Sequence, residues 1–442
     1  MTGPEPPETA SSASELRAAG AVEPGVTAAA ATPDAFAALR YGEFRNLITG
    51  TFLTTVAILV QEVALAYELY RLTRDPLTLG FIGLAEAIPF ISLALFGGHV
   101  ADRFEKRGIM QRALLVIMAG SVVLIVLTHE LGRAQLPQHT QLLFIYAMFM
   151  LVGFARGFYS PASSSLKAFL VPRALYGNSS TWSSTFWQAG AIVGPVAAGF
   201  LYAGIGLTGA LIVALLLFGA NFLLLFTIRK RPVADVAEEG ETLWQSLKEG
   251  LDYVWRTKII LYAISLDMFS VLFGGVVAIL PVFAEDILLV GPEGLGILRG
   301  APAVGAMLTV LYLAWHPPLG KPWRNMLLAV LGFGIATLIF GLSQSFWLSC
   351  AALFFVGAAD SVSVVIRQVI LQAVPPDHLR GRVTSVNSIF VSSSNELGAF
   401  ESGLAARLMG AVPSVIFGGG VTLLTVAWIW RRSRDLLATR LL

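Results

Sequence analysis

The sequence predicts an all-α membrane protein of twelve transmembrane helices in two pseudo-symmetric six-helix bundles, and three observations carry that expectation. The chain of 442 residues is 56% hydrophobic and 13% charged, with a mean hydropathy of +0.73, whereas a soluble chain carries about 25% charged residues. Apolar stretches long enough to cross the hydrocarbon, about 20 residues in a helix, recur twelve times. The second half of the chain repeats features of the first.

The twelve stretches are placed near 46–70, 76–99, 109–128, 140–170, 175–203, 206–228, 259–284, 294–315, 323–342, 345–374, 383–409 and 413–430. An even number puts both termini on one side, and the basic residues indicate which side. Most of them, including the Arg103–Arg112 cluster, Arg173, Arg324, Arg380 and the Arg431–Arg440 segment, share the face of the termini. Arg71, Arg74, Arg133, Arg299 and Arg407 fall at the opposite face, where Glu285, Asp286 and Glu293 make one loop acidic. Positive loops stay inside, so both termini are expected to be cytoplasmic and the chain multi-pass in the plasma (inner) membrane.

Residues 1–40, opening in a Pro-, Ala-, Ser- and Glu-rich segment without a signal-peptide pattern, read as a disordered cytoplasmic tail. The first bundle is expected over 41–229 and the second over 259–431, with a short tail at 432–442. Between the bundles, 230–258 reads as a linker whose Leu243, Leu247, Leu251 and Val254 recur at helical spacing, an amphipathic surface helix. Sliding the chain by 204 residues aligns 152–199 with 356–403 without a gap, matching Gly153 with Gly357, Pro172 with Pro376, Gly194 with Gly398 and Gly199 with Gly403. Two similar halves place a substrate cavity between them near the midplane, worked by rocking one half against the other.

After the second span comes Gly97-Gly98-His99-Val100-Ala101-Asp102-Arg103-Phe104-Glu105-Lys106-Arg107. A glycine for close helix approach, an acid facing a helix N-terminus and two cations at the membrane face suit a gate. This order resembles the signature loop of the major facilitator superfamily, which makes Gly98, Asp102, Arg103 and Arg107 the gate motif. The wider stretch from Tyr67 to Arg107 is similar to the enterobactin-exporter and macrolide-efflux branch, with Glu105 where many members have glycine. Span five contains Gly190, Gly194, Pro195 and Gly199, small residues for tight packing and a proline that lets the helix bend. In the resembling family such a Gly-Pro pattern belongs to proton-coupled antiporters, although here three residues separate Pro195 from Gly199 and no paired glycine follows.

Charges inside spans are costly, about 2.5–3.5 kcal/mol each at the centre, so they mark function. At about 1.5 Å per residue, Glu62 and Glu86 lie in the outer half, Glu396 near the middle, and Arg156, Asp267 and Asp360 in the inner half. Arg156 and Asp360 occupy matching repeat positions and are expected to pair across the cavity, as a structural or a transport device. Glu62, Asp267 and Glu396 are the proton-coupling candidates, the first two because spans one and seven line the cavity in the resembling fold and neither shows a basic partner within a turn of its own span. Arg367 reads as an anchor near a membrane face. Gln61, Glu86, Trp187, Gln188 and Asn395 are candidate cavity residues.

The five histidines form no HExxH pattern, Cys350 stands alone, and Gly291–Gly300 follows no strand, so no metal, nucleotide or other cofactor is expected. With a net charge of +2 no nucleic-acid partner is indicated. The expected partners are a small-molecule substrate, protons and the bilayer, with the chain monomeric. The leading expectation is a proton-driven exporter of an amphipathic small molecule such as a siderophore or macrolide. An uptake symporter or lysophospholipid flippase is the alternative, and a polytopic membrane enzyme the remote one.

Overall fold

The computed structural model describes residues 34–129, 137–230, 243–318 and 320–438. The first part of the expected tail, residues 1–33, lies outside them. Six helices come first: α1 (Gly42–Thr73), α2 (Pro76–Arg103), α3 (Lys106–Thr128), α4 (Gln138–Lys167), and the continuous run Tyr176–Phe226, which holds α5 and α6. The run turns at Gly206, whose φ of 70° is a left-handed conformation that glycine adopts without a Cβ penalty. A shorter helix, α7 (Leu243–Arg256), connects to α8 (Lys258–Gly274), α9 (Gly291–Trp315), α10 (Pro322–Leu342), α11 (Phe346–Ala373), α12 (Asp377–Met409) and α13 (Ala411–Arg432). The seventh span continues beyond α8 through short helical turns over Val277–Ile287.

Ten helical stretches are apolar and long enough to cross a membrane by length and composition alone. One of these, Arg173–Phe226, contains the α5–α6 turn and crosses twice. Helix α12 is 33 residues long, but Asn387, Ser392, Ser393, Ser394, Asn395 and Glu396 dilute its apolar run. Together these give twelve crossings among the described residues.

The two bundles share one packing scheme. Gly153 of α4 sits against the backbone of Glu86 in α2, and its repeat mate Gly357 of α11 sits against the backbone of Pro302 in α9. Gly194 of α5 meets Val56 and Leu59 of α1, while Gly398 of α12 meets Val271 and Leu272 of α8. The missing side chain at each place lets two backbones approach, which is where packing without a hydrophobic driving force finds its contacts in lipid.

Among the described residues, the glycine contacts between the bundles gather toward the face opposite the termini. Gly199 of α5 packs on Pro292, Glu293 and Gly296 of α9, and Gly403 of α12 packs on Pro76 and Gly80 of α2, all toward the face opposite the termini. Arg74 there bridges Asp286 at 2.6 Å and Glu285 at 3.1 Å, and Arg407 reaches Asp75 at 2.9 Å. The hydroxyls of Tyr67 and Tyr70 donate to Glu285 and Asp286. One apolar core accordingly runs from the first bundle into Leu295, Leu298, Phe340 and Ala406 of the second, while the termini-side half of the second bundle holds a separate core around Ile260, Trp323, Ile366 and Ile429. The protein is closed at the face opposite the termini.

Residues 34–40, assigned above to the disordered tail, are instead docked. Asn178 of α5 accepts from the Ala38 amide and donates to the Ala35 carbonyl, which also accepts from the Trp182 indole.

Candidate functional site

Between the bundles, just inside the closed face, lies a cavity of about 260 Å³. Its charged lining comes from five helices: Glu62 of α1, Glu86 of α2, Arg156 of α4, Arg299 of α9 and Glu396 of α12, with Asn395 beside the last. Leu79, Ile82, Val271 and Val277 supply apolar wall. Glu62, Glu86, Glu396 and Asn395, singled out from the sequence on three different spans, thus converge on one site.

The pairing within it differs from the expectation. Arg156 bonds Glu86, with its guanidinium 5.5 Å from the centre of the Phe90 ring. It does not pair with Asp360 in this structure. The repeat places both on equivalent helices, but Gly153, one turn before Arg156, draws α4 against the backbone of Glu86, so the nearest carboxylate belongs to the same bundle. Glu62, expected to lack a basic partner, is bonded to Arg299 across the bundle interface. The sequence reading puts Arg299 at the membrane face opposite the termini, and the structure places it deeper, in the cavity wall. The only sign of its depth is that it lies two turns past Pro292, where α9 begins.

Three carboxylates therefore face two guanidiniums. Glu396 has no ion pair within 4 Å among the described residues, and it feels Glu86, Arg156, Glu62 and Arg299 together. With all five ionised the site carries one uncompensated negative charge in a region where an unpaired charge is expensive. A proton, or the cationic group of a bound molecule, removes it.

Asp267 is not in this cavity. It forms an ion pair with Arg367 inside the second bundle, both side chains at 5% exposure or less. The expectation of a partnerless Asp267 and a face-anchoring Arg367 is corrected by one contact, α8 to α11, that sequence spacing does not reveal. Asp360 stands two turns before Arg367 on the same face of α11 and feels both charges.

Among the other candidates, Gln61 points away from the cavity. It is buried between α1 and α3, where Ser121 lies 3.4 Å away, and its amide nitrogen has no partner among the described residues. Trp187 is 54% exposed and Gln188 half-buried, and neither lines the cavity. Gly190 packs on Phe52 and Thr55 of α1, so Gly190 and Gly194 serve the interior of the first bundle while Pro195 and Gly199 serve the interface with α9. In the gate motif, Gly98 and Asp102 fall within helix α2, but the surroundings of Gly98 and the side chain of Asp102 lie outside what the structure describes. Arg103 is exposed, and Arg107 donates to the Ile228 carbonyl at 2.7 Å, tying the start of α3 to the end of α6. Glu105 has a structural role that the sequence did not suggest. Its carboxylate accepts from the Arg107 and Gly108 amides and caps α3.

Two six-helix bundles enclosing a charged cavity closed at one face form the architecture of a membrane transporter. A family model described as Major Facilitator Superfamily matches residues 46–399, and the chain belongs to that superfamily. It is 24% identical over 402 residues to an enterobactin exporter of Shigella boydii, covering 89% of this chain and 93% of that one. It is 22% identical over 382 residues to a Na(+), Li(+), K(+)/H(+) antiporter of Planococcus maritimus, covering 79% and 87%. Among solved structures, a bacterial homologue of the human lysosomal transporter Spinster superposes with a TM-score of 0.71 at 15% identity, covering 93% of this chain and 99% of that one. A D-xylose–proton symporter superposes at 0.69 and 14% identity, covering 91% and 99%.

Proposed function

We propose that this transporter is a proton-coupled exporter of an amphipathic small molecule, working by alternating access with Glu396 as its coupling group. The observation that carries this reading is the odd charge in the cavity. Within the cavity Glu62 and Glu86 each have an arginine partner, so the uncompensated carboxylate there is Glu396. The basic residues favour cytoplasmic termini, in which case the closed face is external and substrate loads from inside. The apolar walls beside the charges suit a molecule with both characters. Similarity to an exporter and to a cation/proton antiporter supports outward movement.

A proton arriving from outside neutralises Glu396 and lowers the cost of closing the cavity without substrate. Its release to the cytoplasm restores the charge. One proton crossing 100 mV supplies about 2.3 kcal/mol, enough to bias the rocking equilibrium. The test is transport by reconstituted protein under an imposed proton gradient, using a panel of siderophores and macrolides with intact protein and Glu396→Gln. Gradient-driven efflux by the intact protein and its loss in the variant, with substrate exchange retained, is expected. Full gradient-driven efflux by Glu396→Gln refutes the coupling role, and accumulation driven by an inward gradient refutes export.

A further inference from the structure

On the second bundle, at the end near the termini, two apolar grooves lie on either side of one leucine. The larger, about 610 Å³, runs between α7, α8 and α13 and carries the rings of Trp255, Tyr262, Phe269 and Trp428. The smaller, about 530 Å³, lies between α7 and α12 and includes Val386 and Ile389. Leu251 and Phe390 belong to both. Trp255 is 70% and Trp428 59% exposed, so the larger groove opens sideways into the bilayer. Apolar walls with interfacial tryptophans accept any acyl chain.

The charge at the rim narrows the choice. The rings of Tyr262 and Trp428 lie 6.4 Å apart. Lys258 precedes Tyr262 by one turn of α8, and Arg432 follows Trp428 by one turn of α13; the two helices run in opposite directions, so both cations stand at the same mouth of the larger groove. Lys248 lines the smaller groove. All three are exposed, and none has an ion-pair partner among the described residues. Two other arginines nearby are paired, Arg256 with Asp252 and Arg382 with Glu249. Two chain-shaped grooves beneath three unpaired cations complement a molecule with two acyl chains and an anionic phosphate headgroup.

We propose that this is a specific site for one anionic phospholipid, with its acyl chains on either side of Leu251 and its phosphate at Lys258 and Arg432, assisted by Lys248. The site touches the transport machinery through α7. That helix is held on α12 by the Glu249–Arg382 bond and by Gly250, where an added Cβ would meet the Arg382 carbonyl oxygen at 2.9 Å. Helix α12 carries both Glu396 and the Gly403 contact with α2. A lipid wedged along α7 therefore braces the helix that bears the unpaired carboxylate.

The experiment uses the full chain in phosphatidylcholine bilayers, titrated with phosphatidylglycerol brominated on its acyl chains, and reads tryptophan quenching. Saturable quenching at low mole fraction is expected, with most of it absent in a Trp255→Phe, Trp428→Phe variant. Lys258→Gln and Arg432→Gln should each raise the half-saturating lipid fraction about five-fold, the effect of one surface cation on an anionic lipid, while Lys258→Arg leaves it unchanged. Monodispersity on size exclusion verifies that each variant is folded. Equal quenching by brominated phosphatidylcholine, or a half-saturation point unmoved by both Gln substitutions, overturns the proposal. Since the readout is binding, it stands or falls separately from the coupling role of Glu396.

Discussion

Gly403→Ala should unlock the closed face. A Cβ at residue 403 would stand 2.8 Å from the backbone nitrogen and Cα of Gly80 and 2.9 Å from the Pro76 carbonyl oxygen. All three atoms are backbone of α2, so no side chain can swing aside and α2 must part from α12. Overpacking of this kind costs about 1–3 kcal/mol. The penalty applies only while the face is closed. At about 1.4 kcal/mol per factor of ten, the ratio of closed to open protein falls about 5- to 150-fold. Replacing Cys350 by serine and placing spin labels at Ile205 and Leu408, both exposed near that face, allows the separation of the bundles to be measured by pulsed EPR. A new population at longer distance is expected in Gly403→Ala. A distance distribution identical to that of the parent, in protein that is folded and inserted, refutes the claim that this backbone contact holds the closed state.

Arg74→Gln removes the partner of Glu285 and Asp286. Because Arg74 is 53% exposed, each pair is worth only about 0.2–1 kcal/mol, so the same label pair should report an opening of a few-fold at low salt and almost none near 1 M salt, where the screening length is about 3 Å. Asp267→Asn strands a guanidinium that is almost wholly buried, and loss of a buried partner costs about 3–5 kcal/mol; thermal stability in detergent should drop sharply and recover in part when Arg367→Gln is added. Asp102→Asn should reduce substrate transport while leaving expression and insertion nearly intact, as expected of a residue that biases the equilibrium between facing states; unchanged transport would remove it from the gate.

The elements that were legible in advance are those fixed by local physics. A helix in lipid must satisfy every backbone group within itself, so twelve apolar runs become twelve spans, and the one marginal case, α12, is marginal because it carries the polar residues of the site. The Gly153/Gly357 and Gly199/Gly403 matches were likewise visible, because a glycine kept at both repeat positions marks a place where two backbones touch. The docking of residues 34–40 was not, because it depends on Asn178 and Trp182 of a helix about 140 residues away.

For the site, the sequence by itself determined which residues are costly to place in a membrane, and Glu62, Glu86, Arg156 and Glu396 follow from that cost alone. Only the tertiary structure decided who neutralises whom. Arg299 reaches Glu62 from the other bundle, Arg156 turns to Glu86 within its own, and Arg367 takes Asp267 away from the cavity altogether. The reason is range. Helix formation and insertion depend on neighbours within a turn or two, whereas an ion pair inside the protein is settled by which helix faces small-residue contacts press together, and the two pairs of the cavity join residues 70 and 237 positions apart.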